Sequence, residues 1–268
     1  MTATRRGRGC FTRPMGDTRT GTPNPGRRAA DALAFVALCA ALIAAAIAIP
    51  SAGASRAKVI GHTKHTPGAT CPKRCKVVGR VTAFMTVADG KKQPFRVPQD
   101  GKLVAWAVDL GKPTNTKQDP QRDTLGDLFG NKQFGKQPTG RIAVLKHKKK
   151  RKYKLLRESP TQELGRVLGR KQLFTLNKPL TVREGNIVAF TSPTWTPNFH
   201  QRHLDAKDDK WRASRRKDNC APKSGDPEDV RRFARASHAQ QKVGTVHNYE
   251  CHYTHARVLY WAYLAPSK

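Results

Sequence analysis

The sequence predicts an all-β protein: an antiparallel β-sandwich of about eight strands, jelly-roll or Greek-key-like, carrying a loop and short-helix insertion and preceded by an apolar signal helix. Three observations point there. Beyond residue 71 the apolar residues recur with a period of two. The runs are short, rich in β-branched and aromatic residues, and bounded by Gly, Pro, Asn or Asp. In front of them, an arginine-rich start gives way to an unbroken apolar stretch.

At the start, Arg5, Arg6, Arg8, Arg13, Arg19, Arg27 and Arg28 face only Asp17 and Asp31, and residues 32–49 carry no charge. A positive region followed by an apolar one is the pattern of an export signal. Ala52-Gly53-Ala54 supplies an Ala-x-Ala cleavage pattern, which makes Ser55 the expected first mature residue. The 18-residue apolar run also reaches the lower limit for a spanning helix, so an uncleaved anchor through residues 32–49 is the alternative. Either way the rest of the chain is expected outside the cytoplasm, secreted or held at the cell surface.

Residues 55–70 have little apolar content and read as a flexible lead-in, with the folded domain over 71–268. Strands are predicted at 77–87, 102–110, 141–146, 153–157, 172–176, 186–191 and 256–264. In 102–110, Val104, Trp106, Val108 and Leu110 alternate with Leu103, Ala105, Ala107 and Asp109, so both faces are largely apolar, as in an inner strand. Trp195, bracketed by Pro193 and Pro197, is expected in a loop closing the end of the core.

The strand pattern lapses between 193 and 250, which reads as an insertion into the sandwich. One helix is predicted inside it: Asp226 caps, Pro227 takes the first position, and Glu228 and Asp229 sit at the positive end of the helix dipole. Val230, Phe233 and Ala234 then share one face, leaving Arg231, Arg232 and Arg235 toward water.

Beyond residue 54 lie Cys71, Cys75, Cys220 and Cys251, an even number that reads as two disulfides in an oxidising compartment. Four cysteines allow three connectivities, of which Cys71 with Cys75 and Cys220 with Cys251 is the one favoured. The second would contribute about 3 to 4 kcal/mol in the chain-entropy model.

The chain holds 51 Lys and Arg against 19 Asp and Glu, a formal charge of +32; residues 55–268 keep 44 and 17 of these, or +27. Such an excess points to an anionic partner. Two runs concentrate it. Lys146, Lys148, Lys149, Lys150, Arg151, Lys152 and Lys154 lie between two predicted strands, at a hairpin tip that either docks on anionic groups or guards a sheet edge. Arg212, Arg215, Arg216 and Lys217 follow Trp211 inside the insertion. Only Trp211 and Tyr153 adjoin these runs, too few rings for base stacking, so no specific nucleic-acid partner is expected.

No Gly-x-Ser-x-Gly turn, His-Glu-x-x-His helix or cysteine with a partner histidine occurs, and nothing pairs Glu158, Glu163 and Glu184. His200, His203, His247, His252 and His255 cluster in sequence, with Asp205, Asp208 and Asp209 nearby, but the spacing defines no ligand set. No catalytic residue, metal or cofactor is therefore assigned. The expectation is a non-catalytic protein that associates with anionic cell-envelope or extracellular polymers. The alternatives are an extracellular hydrolase or metal-dependent enzyme using His200, His203 or Asp205, and a purely structural envelope protein.

Three segments, LVAWAVDLGKP at 103–113, VREGNIVAFTSPTW at 182–195 and ARVLYWA at 256–262, together resemble a group of exported proteins of unassigned function from high-GC Gram-positive bacteria. The resemblance spans most of the chain beyond the signal and implies a shared β-sandwich. Its motifs are strands and turns, so it carries no site residues.

Overall fold

The computed structural model describes residues 56–71, 77–113, 134–135, 137–201, 205, 207–224 and 226–267. The predicted export segment, Cys75 and His203 lie outside the described residues. The chain divides by its internal contacts at Ala54 and Ser55, and every described residue belongs to the second part.

The protein is mostly antiparallel β. In chain order, β1 (Lys58–Ile60) is followed by β2 (Val78–Ala88), β3 (Lys91–Lys92), β4 (Gly101–Asp109), β5 (Thr139–His147), β6 (Lys152–Glu158), β7 (Gln162–Glu163), β8 (Lys171–Val182) and β9 (Ile187–Thr196). Then come β10 (Phe199–His200), β11 (Lys210–Ala213), helix α1 (Pro227–Ala236), β12 (Val246–Asn248), β13 (Cys251–Thr254), β14 (Arg257–Val258) and β15 (Tyr260–Pro266). Every run predicted as a strand contains one. The turn from β2 to β3 shows the local logic: Asp89 and Gly90 both have positive φ, the twist that a two-residue hairpin requires.

Four strands form one sheet in the order β1-β15-β4-β8, and β10 pairs with β14. A nine-stranded sheet follows the path β12-β6-β5-β9-β2-β11-β13, with β3 beside β2 and β7 beside β5. Both larger sheets feed one core: Leu103, Trp106 and Val108 from β4, Tyr260 and Leu264 from β15, Val81 and Met85 from β2, and Val188 and Phe190 from β9 are all buried within it. Trp106 lies 6.1 Å from Phe190, which lies 5.8 Å from Tyr260, and the Tyr260 hydroxyl donates to the Val188 carbonyl at 3.1 Å.

The opposite face of the nine-stranded sheet is also dry. Phe84, Ala143, Leu145, Leu155 and Ala189 pack there with Tyr249. The sheet is rolled around this second cluster. Its terminal strands, β12 and β13, are joined by Tyr249 and Glu250 alone. A link of two residues spans about 10 Å at most, so the two ends of the sheet must nearly meet.

Three expectations change here. The lead-in is not a free tether, because β1 pairs antiparallel with β15 and buries Ile60, a strand too short to show a period. Trp195 lies within β9, opposite Gly79, rather than in a loop. Pro193 is accommodated because the register shifts there, at a bulge in β2 where Arg80 has φ of 42°. The segment 193–250 is woven into the body, since β11 lies between β2 and β13.

Helix α1 forms as its signals dictate. The Asp226 side chain accepts from the backbone N–H of Glu228 and Asp229, Pro227 opens the first turn, and Val230 and Ala234 are buried. The Cys220–Cys251 disulfide is present, with Cα atoms 5.2 Å apart, and ties the segment before α1 to β13. Cys71 is also disulfide-bonded.

Candidate anion-binding face

The basic hairpin is built by two strands that keep their apolar residues inward. In β5 Leu145 is buried and the chain becomes exposed from Lys146 onward; in β6 Leu155 is buried and Lys152 is exposed. The turn is closed by Lys148 N–H donating to the Lys152 carbonyl at 2.9 Å and Lys152 N–H to that of Lys149 at 3.2 Å. The His147 ring donates to the Lys150 carbonyl at 2.8 Å, and Lys150 adopts φ of 57°. Lys146, Lys148, Lys149, Lys150, Arg151 and Lys152 are all exposed, and Lys154 is half-buried. No ion pair engages any of them among the described residues.

The second run divides by depth. β11 alternates, burying Trp211 and Ala213 while Arg212 stays half-exposed. Trp211 stacks on Tyr253 at 4.1 Å, and Tyr153 packs against Phe84 and Tyr249, so neither ring beside the basic runs stands free on the surface. Arg212 donates to the Tyr249 carbonyl at 3.1 Å. Arg215 turns inward, 8% exposed. It donates to the Tyr253 hydroxyl at 3.0 Å and the Gly79 carbonyl at 3.2 Å, and its guanidinium lies 4.6 Å over the Phe233 ring. Expected as a surface contact, Arg215 is instead a fixed interior charge. Arg216 and Lys217 are exposed.

The two runs are 58 residues apart from Arg212 back to Lys154, yet the curl of the sheet makes them neighbours. The short link between β12 and β13 holds both: Tyr249 N–H donates to the Arg151 carbonyl at 2.8 Å, and Glu250 N–H donates to that of Arg215 at 3.0 Å. Electrostatics agrees with the geometry. Burial first, then the nearby Arg151, pushes the Arg212 guanidinium pKa down. Burial lowers His252 as well, with Arg212, Lys210 and Arg151 adding to the effect. Not every cation joins this face. On α1, Glu228 pairs with Arg231 at 2.9 Å and Arg235 at 2.8 Å, and Asp229 lies 3.9 Å from Arg232, so the helix largely neutralises itself.

Three adjoining hollows run along this surface. One of 490 Å³ at the hairpin tip is lined by Lys146, His147, Lys148, Lys149, Lys152 and Val246. Val246 also borders a cleft of 540 Å³ that includes Arg216, Asp218, His238 and His247. Arg216 and Asp218 pass into a third of 450 Å³ with Lys217 and Glu250. Sequence reasoning missed this cleft, because His238, just after α1, and His247 in β12 meet only through tertiary packing.

Two residues of the enzyme alternative, His200 and Asp205, are otherwise engaged. The His200 ring donates to the Gly68 carbonyl at 2.6 Å, and Asp205 lies 3.7 Å from Lys207. Among the described residues, no three His, Cys, Asp or Glu side chains converge to hold a metal ion. None of their helices is long and apolar enough to cross a membrane. Comparison with protein-family models, curated proteins and solved structures found no match for this chain.

Proposed function

We propose that this is an exported, non-catalytic β-sandwich protein, of the kind its core strands resemble, that binds anionic polymers of the cell envelope or extracellular space. The observation that carries the reading is the joining of two separate cationic runs through Tyr249 and Glu250. A charge excess spread for solubility alone has no need of such a join. Here Lys146, Lys148, Lys149 and Lys152 of the hairpin, with Arg216 and Lys217, border one row of hollows. The sheet supplies a rigid base, and the long side chains supply contacts that displace counterions from a polyanion.

The test is retention on an immobilised polyanion across a salt series. Tight binding at low salt that weakens steeply as salt rises, and a clear loss on neutralising Lys148, Lys149, Lys150, Arg151 and Lys152, support the proposal. Retention that is unchanged by neutralising the hairpin removes its role.

A further inference from the structure

We infer that the cleft between Arg216 and the pair His238 and His247 seats one phosphate of a phosphodiester-type polyanion and grips it more tightly as the pH falls. This rests on the polymer-binding reading above and goes beyond it by naming a subsite, its ligand chemistry and its control.

Both histidines are held by rigid elements. The His238 carbonyl accepts from the Ser214 hydroxyl at 3.1 Å, and Ser214 Oγ in turn accepts from Thr82 N–H at 2.9 Å, which fastens the segment to β2. His247 is fixed by strand pairing, opposite Tyr153 of β6. Arg216 is exposed at the cleft wall, Arg215 lies buried beneath it, and Asn219 and Asn248 add amide groups to the lining. Asp218 is the one acid in the lining, and Glu250 belongs to the next hollow.

Burial first, and the charge of His238 second, hold the His247 imidazole below the usual histidine range. Without a ligand a proton on His247 is therefore resisted, because its imidazolium would lie in a partly dry cleft lined also by His238 and two arginines. An oxyanion seated among them offsets that repulsion and favours the charged form of His247. Binding then takes up protons, and by linkage affinity rises as pH falls. A phosphodiester keeps its single charge across this range, so the gain comes from the protein side. The row of hollows suits a polymer whose charges lie in its backbone, since successive phosphates can settle in successive hollows with no ring between them.

The experiment measures binding of labelled poly(glycerol phosphate), a phosphodiester polymer, to the full-length protein in non-ionic detergent, at constant ionic strength, at pH 7.5 and 5.5. Wild type should gain about tenfold in affinity at the lower pH. The His238→Gln/His247→Gln double variant should lose most of that gain, measured as the ratio of its own affinities at the two pH values, while Lys148→Gln/Lys149→Gln/Lys150→Gln should bind more weakly at both pH values but keep the ratio. Arg216→Gln should weaken binding at both pH values, which gives a second readout if the histidine variant folds poorly. An equal acid gain in wild type and the double variant overturns the inference but leaves polymer binding intact. The histidine-dependent gain seen with dextran sulfate and not with poly(glycerol phosphate) overturns the phosphodiester assignment. No binding to either polymer at low salt overturns the polymer reading itself.

Discussion

The Asp209 carboxylate accepts a hydrogen bond from Arg257 Nε at 2.5 Å, in a site where the side chains are only 2% and 8% exposed. Arg257 also reaches across to the entering chain, donating through its Nη1 to the His65 carbonyl at 2.7 Å and the Thr63 hydroxyl at 3.3 Å. One buried cation thus ties three segments distant in sequence. It does so where β1 alone would offer few pairing contacts.

Removing one partner leaves the other charged and dry. Asp209→Ala should therefore cost about 3 to 5 kcal/mol in denaturant unfolding. Hydrogen exchange in residues 58–66 should rise with it. An apolar pair, Asp209→Leu with Arg257→Met, should recover part of the loss, because the penalty lies in the orphaned charge more than in the lost attraction.

Cys220→Ser/Cys251→Ser should cost about 3 to 4 kcal/mol, since the bridge closes a separation of 31 residues. Thermal melting of the double variant beside wild type checks this. Protease susceptibility should increase first between residues 220 and 245, where the loss of the bridge frees α1 and the chain around it.

Stability should fall on mild acidification. Burial first, with neighbouring basic groups adding to it, holds the folded-state pKa values of His247 and His252 below the ordinary histidine value of about 6.5, so the unfolded chain binds protons first. The sign follows: their contribution is present above pH 6.5 and is lost as pH drops through the lower folded values. Melting curves at pH 7.5, 6.5 and 5.5 should show a declining midpoint. His247→Gln should flatten the decline, and a midpoint that rises in acid would contradict the burial of these rings.

Replacing Lys148, Lys149, Lys150, Arg151 and Lys152 by Gln should leave the melting midpoint nearly unchanged, because all are exposed. Polyanion affinity plotted against salt should change instead. By analogy with nucleic acids, the slope of log affinity on log salt should flatten by roughly 0.7 to 0.9 for each contact removed.

Much of this was legible in residues taken a few at a time. The period of two located every major strand, because alternation of side chains is a property of the extended backbone itself. Asp226 and Pro227 announced α1, because capping satisfies groups within one turn. Count and compartment announced two disulfides but left three connectivities open, and the fold joins Cys220 to Cys251. The two basic runs were visible as charge. Local pattern thus determined the elements, and it determined that the chain carries cations in two places.

Tertiary structure decided which of those cations share a surface. Arg215 and Arg216 are neighbours in sequence, yet one lies buried over the Phe233 ring and the other faces water. The residues flanking β11 are too few to show a period that would have separated them. Asp209 and Arg257, His238 and His247, and Arg151 and Arg212 come together only when the sheet rolls until β12 and β13 are two residues apart. No short-range rule encodes that closure. It follows from burying both faces of one sheet, a condition that the whole chain meets at once.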